Sequence, residues 1–320
     1  MRALVIGDEN QLPELREVPQ PEPGKGEVLV KVSNSGVNYA DTMMRRGFYI
    51  QKPKFPFIPG FEFSGVVAEA GEGVKNVKPG DRVMGTGHNT YAEYTIADAT
   101  GLMPVPAAFT DEQAAAFPVV YVTAFAMLKL SARAQAGETI LVHAAAGGVG
   151  TAAVQLAKHL GLRVIGTASS DEKLATVRRL GADVTINYSD GDFVQPVLDA
   201  TGGRGADIVL ESIGGDFLAK DVKAAAPFGR IVVFGMASGS QGPLDPGSLY
   251  WNSVSVSAFW MFTFTHDPGR LAPLLKELFE IVDKSKIAPV IGKVYPLAEG
   301  AQAFRDLESR KSTGKLLLKL

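Results

Sequence analysis

The residues with the clearest chemical potential stand mid-chain, where ILVHAAAGGVG sets Gly147, Gly148 and Gly150 between branched aliphatics and a helical pattern. A glycine-rich turn that opens a helix lets backbone N–H groups approach a phosphate closely, with the positive end of the helix facing its charge. Against the dinucleotide fingerprint GxGxxG, Ala145 replaces the first glycine, while Gly147 and Gly150 match the second and third. Alanine is tolerable at the first position if φ stays negative there. Ala146, Gly147, Gly148, Val149 and Gly150 are therefore the expected pyrophosphate cradle. The motif also opens a strand–helix–strand unit of about 30 residues, the context that the fingerprint requires.

The end of the next strand reports on the ribose. Enzymes that use NAD usually place Asp or Glu about 20 residues beyond the motif, where it accepts from the ribose hydroxyls. Here Thr167 or Ala168 holds that place, with Ser169, Ser170 and Lys173 close behind. A carboxylate would repel a 2′-phosphate, whereas hydroxyls and an ammonium group donate to it. The pattern predicts NADPH in preference to NADH. The plainer alternative is that Ser169 or Ser170 caps a helix and Lys173 is solvated.

Other chemistries are bounded by composition. The chain of 320 residues has no cysteine, which removes disulfides, thiolate zinc sites and cysteine nucleophiles. Its histidines, His88, His143, His159 and His266, show no paired spacing, leaving only a carboxylate site with one histidine as a route to a metal. No metal is expected. A net charge of −2 without a basic stripe argues against nucleic acid, and no Lys/Arg-rich amphipathic segment suggests a membrane surface. Apolar runs such as Ala144 to Val149 are short and glycine-broken, so no membrane span is expected. The opening MRALVIG reads as a strand rather than a signal peptide, and the protein reads as cytoplasmic.

The elements around the turn fall into two grammars. Leu29 to Val32, Gly65 to Ala70, Asp81 to Gly85 and Tyr91 to Ala97 are short strand-like runs punctuated by turn residues, as in a small barrel or sandwich. A helical pattern follows, DEQAAAFPVVYVTAFAMLKL, with a domain boundary expected near Pro118. From about Ala136, Val- and Ile-rich strands alternate with helices, which implies a doubly wound parallel sheet over residues 119–260. One helix carries Val149, Ala153, Leu156 and Leu160 on one face. The tail holds two more helical patterns and a last strand in KLLLKL, expected to return to the first domain.

Several blocks together resemble one known family over the whole chain: GVNYADTMMRRGFY, PFIPGFEFSGVV, AAAGGVGTAAVQLAKHLG, INY, GGRGADIVLESIGG and ESRKSTGKLLL. The sequence is similar to zinc-free medium-chain dehydrogenase/reductases of the quinone oxidoreductase, or ζ-crystallin-like, branch. The resemblance implies an α/β protein with a GroES-like, β-rich catalytic domain (1–118 and 261–320) and a Rossmann domain (119–260). It also implies an active site in the cleft and pairing into a homodimer through the Rossmann domains. Zinc-dependent relatives carry a cysteine near Asn38 and a GHE histidine where Phe61 stands in GFE, so both ligands are missing here.

By the same resemblance, Asn38 and Asp41 would line the nicotinamide end with Tyr49 near the substrate. Thr123 would contact the nicotinamide side of the cofactor, and Lys173 and Tyr188 would approach the 2′-phosphate and adenosine. Phe234 and Gly235 would follow the fifth strand toward the cleft, and Arg310 would return from the tail. Plainer roles as turn, cap or surface residues remain open for Asn38, Asp41, Tyr49 and Arg310.

The implied chemistry is hydride transfer from NADPH to a quinone or related conjugated carbonyl. Without a metal, developing negative charge must be met by hydrogen-bond donors or spread by the substrate itself. Quinones and enones spread it, and Asn38 NH₂ and Tyr49 OH are the candidate donors. An NADPH-dependent enone or enoyl reductase is the nearest alternative. A noncatalytic NADPH-binding sensor or structural protein is an alternative of another class. Tyr250, Trp251, Phe259, Trp260, Phe262 and Phe264 could line an aromatic pocket, or equally serve a core or dimer interface.

Overall fold

The computed structural model describes residues 1–265 and 267–320, with Pro268 described by its backbone alone. His266, one of the four histidines weighed above, lies outside the described residues. The chain forms two compact units: Met1–Val119 with Ala288–Leu320, and Val120–Ile287.

The first unit is built on the strand Glu27–Val37 of a seven-stranded sheet. Val28, Val30 and Val32 bury one face of this strand; on the other face Lys31 is exposed but Leu29 and Ser35 are buried, so most of the strand is covered on both sides. It pairs antiparallel with Glu62–Ala70, with Tyr94–Asp98 and with the last strand, Lys315–Lys319. In that last pairing Leu316 stands opposite Val37, which carries Lys315 from the far end of the sequence to the neighbourhood of Asn38. Leu4, Ile6, Tyr91, Tyr295, Phe304 and Leu318 form a common core from both ends of the chain.

The second unit holds a six-stranded parallel sheet. Its spatial order is Val184–Asn187, Arg163–Ala168, Thr139–Val142, Ala206–Glu211, Ala225–Val233 and Ser255–Ala258. That is the 3-2-1-4-5-6 order of a Rossmann domain, with the glycine-rich turn leaving the first strand. Ile140, Leu141, Val164, Ile165, Val209 and Ile231 are buried, as strands covered on both faces require. The helix Gly148–His159 buries Gly150 to Val154, Leu156 and Ala157. This face is wider than the expected stripe, and Val149 and Leu160 are only half-buried.

Two expectations are adjusted. The helical run after Leu102–Phe109 is broken at Pro118, which starts a new helix, Pro118–Ala126, after Asp111–Ala115. The return to the first unit comes at Ala288 rather than at 261. The helix Pro268–Lys284 belongs to the second unit, burying Leu278, Ile281 and Val282. Lys129 Nζ donates to Glu277 at 2.8 Å, and Ser285 Oγ lies 2.9 Å from His159 Nδ1.

Candidate functional site

In the first unit, polar side chains distant in sequence converge around the start of the helix Tyr39–Arg45. Asn38 is its N-cap and Asp41 its third residue, and the Asn38 N–H donates to Asp41 Oδ2 at 2.8 Å. The same carboxylate oxygen accepts from Tyr91 Oη at 2.5 Å. Burial pushes the Asp41 carboxyl up to about 6, against the downward pull of the Tyr91 hydroxyl, and holds the Tyr91 hydroxyl well above its usual range.

On the other side of Asn38, Lys315 Nζ donates to Asn38 Oδ1 at 2.5 Å and lies 2.6 Å from Glu62 Oε1. Asn38 Nδ2 donates to Glu62 Oε1 at 2.9 Å and to Gly36 O at 3.2 Å. Glu62 Oε2 accepts the Val119 N–H at 2.8 Å. Gly36 makes room for this carboxylate, since a Cβ there would meet Glu62 Oε1 at 2.5 Å. The Lys315 and Glu62 side chains are 4% and 0% exposed, so each charge depends on the other for compensation.

This geometry corrects two expected roles. Both Nδ2 hydrogens of Asn38 have internal acceptors, so its amide offers no donor to a reacting oxygen. Asp41 is fully buried and serves as a capping-box residue rather than a group presented to substrate. Tyr49 is half-buried beside Phe61, with ring centroids 5.8 Å apart, and Phe61 meets the His88 ring edge-on at 6.0 Å. These three rings form one aromatic group in the first unit.

In the second unit, the turn between Thr139–Val142 and Gly148–His159 is made of backbone. Ala144, not Ala145, takes the left-handed conformation, with φ of 46°. A single alanine there costs about 1–2 kcal/mol, so its surroundings must hold it. Gly147 N–H donates to Ala144 O at 2.8 Å, and Ala145 N–H to Thr167 O at 2.9 Å. Gly150 lets the helix press on the turn: a Cβ there would stand 2.3 Å from Ala144 O. Gly147 is the helix N-cap, and Gly148 begins the helix, so the N–H groups of Gly148 and Val149 lie in its first turn. Ala146 is buried behind them.

At the end of the next strand, Ser169 Oγ accepts from Lys173 Nζ at 3.2 Å, and burial pulls the Lys173 ammonium below its usual range. Tyr188 lies just beyond Val184–Asn187; its N–H donates to Ala168 O, and its ring packs edge-on against Phe217. Ser170 turns out to be a helix cap, its hydroxyl accepting from Lys173 N. Thr167 is corrected more firmly. It is fully buried, and its hydroxyl lies 2.9 Å from His143 Nδ1, so it faces the interior rather than a 2′-phosphate.

The remaining expected residues are spread over both units. Thr123 is buried in Pro118–Ala126. Phe234 and Gly235 follow the strand Ala225–Val233; Phe234 N–H donates to Glu211 O, and a Cβ on Gly235 would meet Ser212 O at 2.9 Å. Arg310 is exposed just past the helix Gly300–Glu308 with φ of 58°, the left-handed position that ends many helices.

Sequence reasoning missed Glu62, Tyr91 and Lys315, although GFEFSG and STGKLLL contain two of them. It also missed Asp221 and Glu211 and weighed His143 only as a metal ligand; all three are buried polar residues of the second unit. Their signal was a charged or imidazole side chain inside an otherwise apolar strand or helix face. Among the described residues no group of three His, Asp or Glu side chains could hold a metal ion. With no cysteine in the chain and Phe61 in GFE where the zinc-dependent pattern has a histidine, the residues present do not fit a zinc site.

Comparison with known proteins agrees with this architecture. Residues 24–107 match the alcohol dehydrogenase GroES-like domain, and residues 148–279 match the zinc-binding dehydrogenase domain. Quinone oxidoreductase of Rattus norvegicus is 34% identical, with 100% of this chain and 97% of the relative covered. The solved Escherichia coli quinone oxidoreductase complexed with NADPH is 30% identical, covers 100% of both chains and superposes with a TM-score of 0.93. A mycobacterial protein solved with NADPH, 35% identical with 100% of both chains covered, reaches 0.94. The chain belongs to the quinone oxidoreductase family of medium-chain dehydrogenase/reductases.

Proposed function

We propose that this protein is a cytoplasmic, NADPH-dependent reductase of quinones that works without a metal ion. The observation that carries the reading is the end of the second parallel strand. No carboxylate stands at Thr167 or Ala168, and Ser169 with Lys173 forms a donor pair beside Tyr188. Such a group accepts the 2′-phosphate that distinguishes NADPH. NADPH-complexed relatives support the same cofactor.

Bound NADPH would supply a hydride. Residues of this chain would place it: the turn Ala146 to Gly150 would take the pyrophosphate on backbone N–H groups, with Ser169, Lys173 and Tyr188 at the adenosine end. Thr123, Phe234 and Gly235 are proposed for the nicotinamide side. The aromatic group Tyr49, Phe61 and His88 would take a flat acceptor ring, with Tyr49 OH as the remaining candidate donor. Because Asn38 has no free N–H, a substrate that delocalises its own negative charge is favoured. That favours quinones, and after them enones.

We further infer a homodimer joined at the edge of the parallel sheet. Among the described residues the last strand, Ser255–Ala258, has a strand partner on one side only. Phe228, in the neighbouring strand Ala225–Val233, and Tyr250 and Trp251, in the turn before Ser255–Ala258, are 76%, 81% and 93% exposed. An uncovered edge with large apolar side chains is a surface that a second copy would bury. Sedimentation equilibrium of Trp251→Glu should show monomer where the wild type shows dimer. A monomeric wild type would end the inference.

The functional test follows NADPH oxidation with an ortho-quinone and, in parallel, with a simple 2-enone. Faster turnover of the quinone is expected. Preference for the enone would make the protein an alkene reductase, and NADPH binding without turnover of either would make it a binding protein.

A further inference from the structure

Behind the glycine-rich turn lies a buried polar cluster that direct contact with a cofactor does not explain. The His143 side chain is 0% exposed and sits at the exit of Thr139–Val142, immediately before the left-handed Ala144. Its Nε2 is 2.7 Å from Asp221 Oδ1, and its Nδ1 is 2.9 Å from Thr167 Oγ1. Phe193 and Phe217 close over the ring edge-on, at 4.6 and 5.1 Å between centroids. Asp221 comes from the helix Phe217–Ala224 and Thr167 from the strand Arg163–Ala168. On the neighbouring strand, buried Glu211 accepts the N–H groups of Ile213 at 2.6 Å and Gly214 at 3.1 Å.

The exits of three adjacent parallel strands are therefore fixed by buried side chains. In doubly wound domains these exits form the floor of the ligand site. Thr167 acts twice, since its carbonyl accepts the Ala145 N–H at 2.9 Å while its hydroxyl meets His143. The turn is thus tied to the second strand through backbone at Ala145 and through side chain at His143. An alanine at φ of 46° keeps that conformation only where its neighbours dictate it.

We propose that His143, clamped between Asp221 and Thr167, is a positioning residue that holds the turn 144–147 in the shape a pyrophosphate requires. The proposal rests on the placement of NADPH given under Proposed function. It assigns the hydroxyl of Thr167 to the turn and not to the 2′-phosphate, which makes the two roles separable by choice of ligand.

The test measures dissociation constants of NADPH, NADH and adenosine 2′-monophosphate, which carries the 2′-phosphate and no pyrophosphate. Thr167→Val removes one hydroxyl at nearly constant shape, and Asp221→Asn weakens the clamp from the other side. Each should weaken NADPH and NADH by a common factor, about tenfold for Thr167→Val, which loses one buried hydrogen bond, and less for Asp221→Asn, whose amide oxygen still accepts, with adenosine 2′-monophosphate unaffected. Thr167→Ser should restore both dinucleotides.

Unchanged dinucleotide affinities in a folded Thr167→Val protein of lowered thermal midpoint would overturn the proposal, leaving the cluster a purely structural role. Loss confined to NADPH and adenosine 2′-monophosphate would also overturn it, because the hydroxyl would then read the 2′-phosphate. Gly147→Asp sets a carboxylate in the cradle and should abolish dinucleotide binding. If it does not, the underlying placement of NADPH fails, an outcome distinct from the other two.

Discussion

The polar network of the first unit and the glycine-rich turn of the second solve positioning by opposite means. Around Asn38 the parts are side chains from residues 38, 41, 62, 91 and 315, joined by hydrogen bonds and one buried ion pair. At Ala144 to Gly150 the parts are consecutive backbone groups, and side chains matter chiefly by being small. The first arrangement is fragile to the loss of one charge. The second is fragile to the gain of one carbon. Substitutions that exchange these vulnerabilities would break the comparison.

The largest effect is expected at Lys315. Lys315→Met leaves Glu62 buried without its counter-charge and should cost about 3–5 kcal/mol in denaturant unfolding. The double variant Lys315→Met with Glu62→Gln should recover much of that loss. A single variant as stable as the wild type would mean that the buried pair carries no such dependence.

Asp41 comes next. Its folded carboxyl titrates near 6 against an ordinary value of 3.8, so the folded state keeps a proton that the unfolded chain has already lost. The stability of the wild type relative to Asp41→Asn should therefore fall as pH rises from about 4 to about 6, by about 3 kcal/mol in all, and level off above. Denaturation series across that range provide the check, and parallel curves for the two proteins would refute the buried-acid picture.

Effects in the second unit are smaller and show in binding. Lys173→Ala should raise the KM for NADPH about tenfold to a hundredfold, the worth of a hydrogen bond to a charged group, and leave that for NADH nearly unchanged. Equal changes for both would remove Lys173 from the 2′-phosphate. Gly150→Ala places a methyl carbon 2.3 Å from Ala144 O. Overpacking of this kind costs about 1–3 kcal/mol, and both dinucleotides should bind more weakly as the turn is displaced. Unaltered binding would show that the turn can shift without consequence.

The same contrast explains what was legible in the sequence. The turn could be read because its determinants are local: Gly147 and Gly150 follow a strand and open a helix within a few residues. The parallel sheet, though not its strand order, followed from strands and helices that alternate, and the tail strand from KLLLKL. The Lys315–Glu62–Asn38 arrangement could not be read, because it arises only when Leu316 pairs with Val37 across the sheet. Thr167 was misplaced for a related reason. Sequence puts it at the right distance from the motif, but only the fold turns its hydroxyl toward His143. The helix Pro268–Lys284 was assigned to the wrong unit because its amphipathic pattern shows that it has a buried face and not which neighbour covers it.

The most direct test of the central claim, hydride transfer to a charge-delocalising acceptor without a metal, is NADPH oxidation with an ortho-quinone before and after exhaustive chelation. The expected result is the same kcat/KM in both, unaffected by added zinc. Activity that is lost on chelation and restored by zinc would contradict it.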